Sequence, residues 1–281
     1  MRTAFRGTQM VSQAHFGAMQ AIDILENIGT GLMTGGVVIV DCSATLGPST
    51  PVAKPGTQGE DPPAVEINPI SEYDSDGPFW AWNWLNLGEH SGTHLAAPRH
   101  WTTGKDHADG RTDTLDVQRL VAPANVIDCS SDAAQDPDFL LTADRVRNWE
   151  GIHGPIGEGE WVLMRTDWDK RAHDRDQFLN EDETGQHSPG PSADCIEYLL
   201  SKKITGWGTQ TVSIDAGVAA GFEPAFPAHA LLHGANRFGL ASLANLDRLP
   251  PKGAILVAAP LKFVRGTGSP IRALALVPGK G

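Results

Sequence analysis

Along the first thirty residues, apolar side chains return at Met10, Ala14, Ala18, Ala21, Ile22 and Leu25, with polar residues between them. Spacings near three and four put these positions on one stripe of a helix, so the pattern predicts a helix over 9–27 that closes at Gly29. Beyond it the rhythm changes. Short runs rich in Val and Ile follow at 36–43 (GVVIVDCS), 125–130 (NVIDCS), 161–168 (WVLMRTDW), 211–215 (TVSID) and 253–259 (AILVAAP). Such runs are too short and too evenly apolar for amphipathic helices and read as strands buried on both faces. Helical stretches lie between them: Thr142 stands as a cap before ADRVRNWE, and Pro191-Ser192 precede ADCIEYLLSKK.

Strands alternating with helices predict an α/β fold. The run PIRALALV at 270–277 follows its predecessor closely enough for an antiparallel pairing, which makes the sheet mixed. The expected organisation is a helical extension over 1–30 and, over 31–281, a single layered domain with a mixed β-sheet and flanking helices. Two stretches dense in Pro, Gly, Asp and Ser predict long loops: 47–79 is either mobile or part of a binding-site wall, and 168–191, which is more charged, reads first as a solvated surface loop. Within FWAWNW, tryptophans at 80, 82 and 84 alternate as they would along one face of a strand.

The chain has 281 residues, 40% of them hydrophobic, enough for a sizeable core. Its 22 Lys and Arg against 34 Asp and Glu leave a formal charge of −12, which disfavours a nucleic-acid partner because phosphate binding needs a basic face. The longest apolar run, GGVVIV, is far too short to span a bilayer, so no membrane association is expected. Three widely spaced cysteines, Cys42, Cys129 and Cys195, suggest neither a disulfide framework nor a Cys-based zinc site and fit a reducing, cytoplasmic setting. An apolar stripe on the first helix needs a partner surface, either its own domain or, in a homodimer or larger homo-oligomer, a second subunit.

The chemistry concentrates in HSGTHLAAPRH, residues 90–100, which carries three of the chain's ten histidines. His90 and His94 are four apart, a spacing that lets both imidazoles reach one ion if the segment is helical or tightly turned. Pro98 keeps His100 off any single regular helix with them. Gly92 permits unusual backbone angles, and Thr93 can fasten a turn through its hydroxyl. The neighbouring Trp80 and Trp84 are expected as an aromatic wall for a planar substrate.

This eleven-residue motif resembles the HxGTHxDxPxH signature of the cyclase-like metal-dependent hydrolases, of the kynurenine formamidase and isatin hydrolase type. GEH, HWTTGKD, FPAHALL at 226–232 and GLASLANLDRLP at 239–250 extend the resemblance over roughly 36–278. It implies a swivelling β/α/β fold with His90 and His94 as ligands of a divalent metal, Mn or Zn, and His100 as the acid-base group. The signature aspartate is replaced by Ala96. The two-metal branch of the family uses a later histidine and a glutamate twelve residues after it; His229 matches the histidine, but Ala241 stands at the glutamate. The resemblance is therefore closer to the one-metal, isatin-hydrolase-like branch, in which His229 contacts substrate or water and Ser242 is a candidate for proton relay. His187 and Phe222 complete the expected substrate contacts.

The activity so implied is hydrolysis of a small cyclic amide, imide or lactone fused to an aromatic ring, by a metal-activated water. No G-x-S-x-G motif is present to suggest a covalent route. With Ala96 in the carboxylate's place, impaired hydrolysis is expected. Two alternatives follow from that substitution: a pseudoenzyme that binds without turnover, and a metal-independent cyclase or dehydratase using His100 and His229.

Overall fold

The computed structural model describes residues 21–53, 62–74 and 80–279, in two compact units. Of the described residues, those at 21–39 and 276–279 belong to one unit and those between 40 and 275 to the other. In the first, residues 21–34 form helix α1. The helix runs through Gly29 and stops one turn later, where the Thr34 hydroxyl donates back to the Thr30 carbonyl at 2.9 Å and Gly35 turns the chain at φ +80°. Gly35 is therefore the glycine that closes this helix, the left-handed position a side chain would disfavour. The Gly279 amide donates to the Gly36 carbonyl at 2.9 Å, beside the start of strand β1 (Val37–Asp41). The expected residues Met10, Ala14 and Ala18 lie outside the described residues.

The larger unit is organised by a mixed sheet. Its central strands β5 (Val121–Asp128), β7 (Trp161–Arg165), β11 (Gly206–Thr209) and β12 (Phe238–Ala241) are parallel. Antiparallel strands flank them: β13 (Ala254–Val257) beside β5, and β4 (His94–Ala96) beside β12, with β14 (Gly268–Pro270) next to β4. The short helix α2 (Ser130–Gln135) follows β5, the two-residue strands β6 (Leu140–Leu141) and β10 (Gly190–Pro191) pair in parallel, and the helices α3 (Ala143–His153) and α5 (Ala193–Ser201) cover one face. Thr142 and Ser192 cap them as the sequence predicts, each hydroxyl accepting from the backbone three residues on. Ile127, Val162, Met164 and Trp207 point from the sheet into this layer and meet Val146, Trp149, Ile196 and Leu199.

Strand β11 shows why its sequence, GWGT, was not predicted as a strand and the neighbouring TVSID was. Trp207 faces the helices, while Gly206 and Gly208 leave the opposite face bare. A Cβ at Gly206 would lie 2.3 Å from the Trp161 ring, and one at Gly208 would lie 2.7 Å from Leu163. The glycines admit these large neighbours, so a central strand carries almost no β-propensity of its own. Residues 211–215 instead turn away at its end.

Both long loops hold structure. Strands β2 (Glu66–Ser71) and β3 (Trp82–Asn86) form an antiparallel pair within the region expected as the first loop and just after it. The second contains α4 (Arg175–Leu179) and the hairpin β8 (Glu181–Asp182) and β9 (Gly185–Gln186), anchored by buried Trp168, Phe178 and Leu179.

Candidate active site

Strand β4 places the histidine motif at the edge of the parallel core, between β12 and β14. The turn before it is held by three features. Gly92 adopts φ +59°, and a Cβ there would come within 2.9 Å of Leu46. The Thr93 hydroxyl accepts from the Ala44 amide at 2.8 Å and donates to the Ser242 carbonyl at 2.5 Å, tying the turn to the end of β12. The His94 Nδ1 donates to the Gly92 carbonyl at 2.8 Å. After β4, Pro98 opens a single 3₁₀ turn that ends on His100 and brings its ring back over His90.

His90, His94, His100 and His229 all line one cavity of about 600 Å³, with Ala96, Trp101 and Phe226 in its wall. The His90 ring meets that of His94 edge-on at 5.1 Å between centroids and stacks on that of His100 at 3.8 Å. His229 lies 5.4 Å from His100 and 4.6 Å from Trp101 by the same measure. Thus the structure gathers four predicted histidines whose positions span 139 residues of sequence.

Burial keeps the rings of His90, His94 and His100 neutral. The proton affinity of His94 falls to a pKa of about 4 and that of His90 to about 2, in both cases through loss of solvation first, while His100 is pushed further down by burial and then by the charges of its histidine neighbours. Their tautomers are fixed from behind. His94 carries its hydrogen on Nδ1, toward the Gly92 carbonyl, leaving a lone pair on Nε2. His90 Nε2 donates to the Thr267 hydroxyl at 3.1 Å, and that hydroxyl donates to Glu89 at 2.5 Å, so the lone pair of His90 is on Nδ1. That Nδ1 is buried and has no hydrogen-bond partner. Two neutral imidazoles with lone pairs set by outer hydrogen bonds suit a divalent cation. A third protein donor is missing, since Ala96 offers a methyl group, and among the described residues no group of three His, Cys, Asp or Glu is arranged to hold an ion. The donor set thus fits a cation held by His90 and His94 with its other positions open.

The remaining predicted residues fall elsewhere. Trp80 and Trp84 are about half exposed, 55% and 51%, by β3 and on it. The strand ends at Asn86, so the alternation does not carry through to His90. The ring facing the cavity is Trp101, within the HWTTGKD segment. Phe222 is partly buried outside the cavity wall, and Phe226, four residues on at φ +52°, holds the position. His187 is taken up by carboxylates: Nδ1 lies 2.8 Å from Asp138 and Nε2 3.2 Å from Asp182, while the adjacent Gln186 lines the cavity. Ser242 lines a second cavity, of about 260 Å³, together with Gly92. Two carboxylates went unpredicted, Glu89 and Asp215. Their signal in sequence is weak, because each acts through a partner that no motif spacing marks: Thr267, 178 residues from Glu89, and His229, 14 residues from Asp215.

The Cyclase family model matches residues 40–216. Isatin hydrolase of Roseibium aggregatum is 67% identical over 92% of this chain and 99% of its own length. Kynurenine formamidase of Salinibacter ruber is 26% identical over 85% of this chain and 97% of its own. The crystal structure of an isatin hydrolase bound to the product analogue thioisatinate superimposes with a TM-score of 0.90, at 68% identity over 92% of this chain and 99% of that one.

Proposed function

The chain belongs to the cyclase family, and we propose that it is a metal-dependent hydrolase that opens the cyclic amide of isatin or a close analogue by breaking the ring C–N bond. The observation that carries this reading is the set of four imidazoles around one largely apolar cavity, in a chain 67% identical to an isatin hydrolase. Trp101 and Phe226, edge to face at 5.5 Å, offer flat apolar surface to an aromatic ring. This substrate contact replaces the one expected from Trp80, Trp84 and Phe222.

His90 and His94 would hold the divalent ion, manganese or zinc. When bound, such an ion polarises a carbonyl and lowers the pKa of water. His100 and His229 move protons: both face the cavity, and neutral imidazoles can accept one from water and pass it to the leaving nitrogen. Ser242 contributes through its carbonyl, which holds Thr93 and with it the turn between the two ligands. Ala96 weakens ion binding because no negative charge from the motif offsets the cation. That methyl also favours one second reading, a protein that binds the ring and does not open it.

Exposed apolar side chains on α1 and on β2–β3, among them Ile24, Leu25, Ile67 and Trp82, support a homo-oligomer. Three unpaired cysteines support a reducing, cytoplasmic compartment.

The test is loss of isatin absorbance with purified protein, beside elemental analysis. Ring opening that needs added manganese or zinc is the expected result. Binding of isatin with no turnover in either metal would favour the second reading.

A further inference from the structure

Behind His229 stands a carboxylate that is fully enclosed. Asp215 has no exposed surface and accepts three hydrogen bonds, from the Ala228 amide at 2.6 Å, the His229 amide at 3.1 Å and the His229 Nδ1 at 2.5 Å. Two of these bonds fix the backbone at the start of the π-helical turn Ala228–Leu232, and the third fixes the ring that the turn carries. An enclosed carboxylate needs a donor for each oxygen, and here every donor belongs to His229 or to the residue before it.

The direction of the third bond sets the chemistry. A carboxylate only accepts, so Nδ1 of His229 carries the hydrogen and the lone pair is on Nε2. His229 belongs to the cavity wall, next to His100 and Trp101. We propose that Asp215 is a positioning residue for ring opening: it locks His229 in the tautomer whose Nε2 accepts a proton, and it stabilises the imidazolium that results. The arrangement is that of a His–Asp pair in which the acid orients the base and does not itself take the proton.

In the step this supports, a water O–H bond breaks as its oxygen bonds to the amide carbonyl carbon, and the proton goes to Nε2 of His229. The ring C–N bond then breaks, and the proton passes to the departing nitrogen, directly or by way of His100. The new carboxylic acid loses its own proton to solvent. Atoms and charge balance with water as the only co-reactant.

The inference rests on the ring-opening reading, and its test separates the two. Histidine ¹⁵N NMR of the full chain, with the His229 signals assigned by their loss in His229→Gln, reports the tautomer whether or not isatin is turned over. The expected result is a hydrogen on Nδ1 of His229 in the unaltered chain, lost or moved to Nε2 in Asp215→Asn and kept in Asp215→Glu. In isatin turnover, Asp215→Asn should lower kcat on the order of 10²–10⁴-fold with little change in KM, and Asp215→Glu should recover part of it. A hydrogen on Nε2 in the unaltered chain would overturn the proposal even if Asp215→Asn failed to fold. So would an unchanged tautomer, or an unchanged kcat, in folded Asp215→Asn. If the unaltered chain opens no isatin, the ring-opening reading fails, and the tautomer alone decides the positioning role of Asp215.

Discussion

The imidazole of His100 lies stacked on that of His90, with ring centroids 3.8 Å apart and planes inclined by 30°. Two rings in that relation cannot both carry charge, and burial already disfavours charge on either. The proposed roles differ accordingly: His100 would relay a proton without holding it, and His90 would turn its lone pair to the metal.

The two roles part on mutation. His100→Ala is expected to lower kcat for isatin opening by on the order of 10²–10⁴-fold, with manganese affinity changed far less. Titration of manganese into both forms, beside steady-state kinetics, checks it. If the variant loses manganese and the residual activity simply follows occupancy, His100 is a ligand.

Acid stability should depend on His233. It is fully buried, its Nδ1 donates to the Arg237 carbonyl at 3.1 Å, and its Nε2 has no partner. Desolvation, followed by the charge of His229, pushes its pKa down to about 3. The unfolded chain takes up this proton from its ordinary value of 6.5 downward, and the folded chain does not. Stability from this group is thus complete above that value and is lost as pH falls toward 3. Between pH 6.5 and pH 5 the loss is about 2 kcal/mol. In urea unfolding at pH 7 and pH 5, His233→Gln should lose less stability over that interval than the unaltered chain by about this amount. Equal losses would contradict it.

The β8–β9 hairpin should respond in the opposite sense. His187 has its pKa raised by hydrogen bonds to Asp138 and then to Asp182. The grip of this histidine on the hairpin is complete below its ordinary value and is lost as pH rises through the raised one. Amide exchange over 181–187, corrected for intrinsic rates, should quicken across that range, and His187→Gln should remove the dependence. Exchange that follows intrinsic rates alone in the unaltered chain would show that the two carboxylates do not hold the hairpin.

Much of this molecule is legible in its sequence, for identifiable reasons. The runs at 125–130 and 161–168 became central strands because they are covered on both faces, the run at 36–43 became a strand that leaves Val38 and Ile39 exposed, and Thr142 and Ser192 cap helices because short hydroxyl side chains satisfy free amides. His90, His94, His100 and His229 were legible because motif spacing and resemblance mark them. What escaped depends on neighbours distant in sequence. Gly206 and Gly208 form a central strand only because Trp161 and Leu163 occupy their space. Trp80 and Trp84 read as wall residues from their alternation, but β3 ends at Asn86 and the tryptophan in the cavity wall is Trp101, which no pattern marks. Asp215 shows its role only where the fold sets it against His229.

The most direct measurement is isatin ring opening, with manganese affinity, for this chain and for Ala96→Asp under identical manganese. Ala96 is buried in the cavity wall, 2% exposed, in the same wall as His90 and His94, the proposed ligands, where an added carboxylate would meet the same ion. Ala96→Asp should bind manganese more tightly by on the order of 10–100-fold or more and open isatin faster, with the unaltered chain slow. Equal affinity and equal rates in the two forms, or no opening by either, would contradict the account.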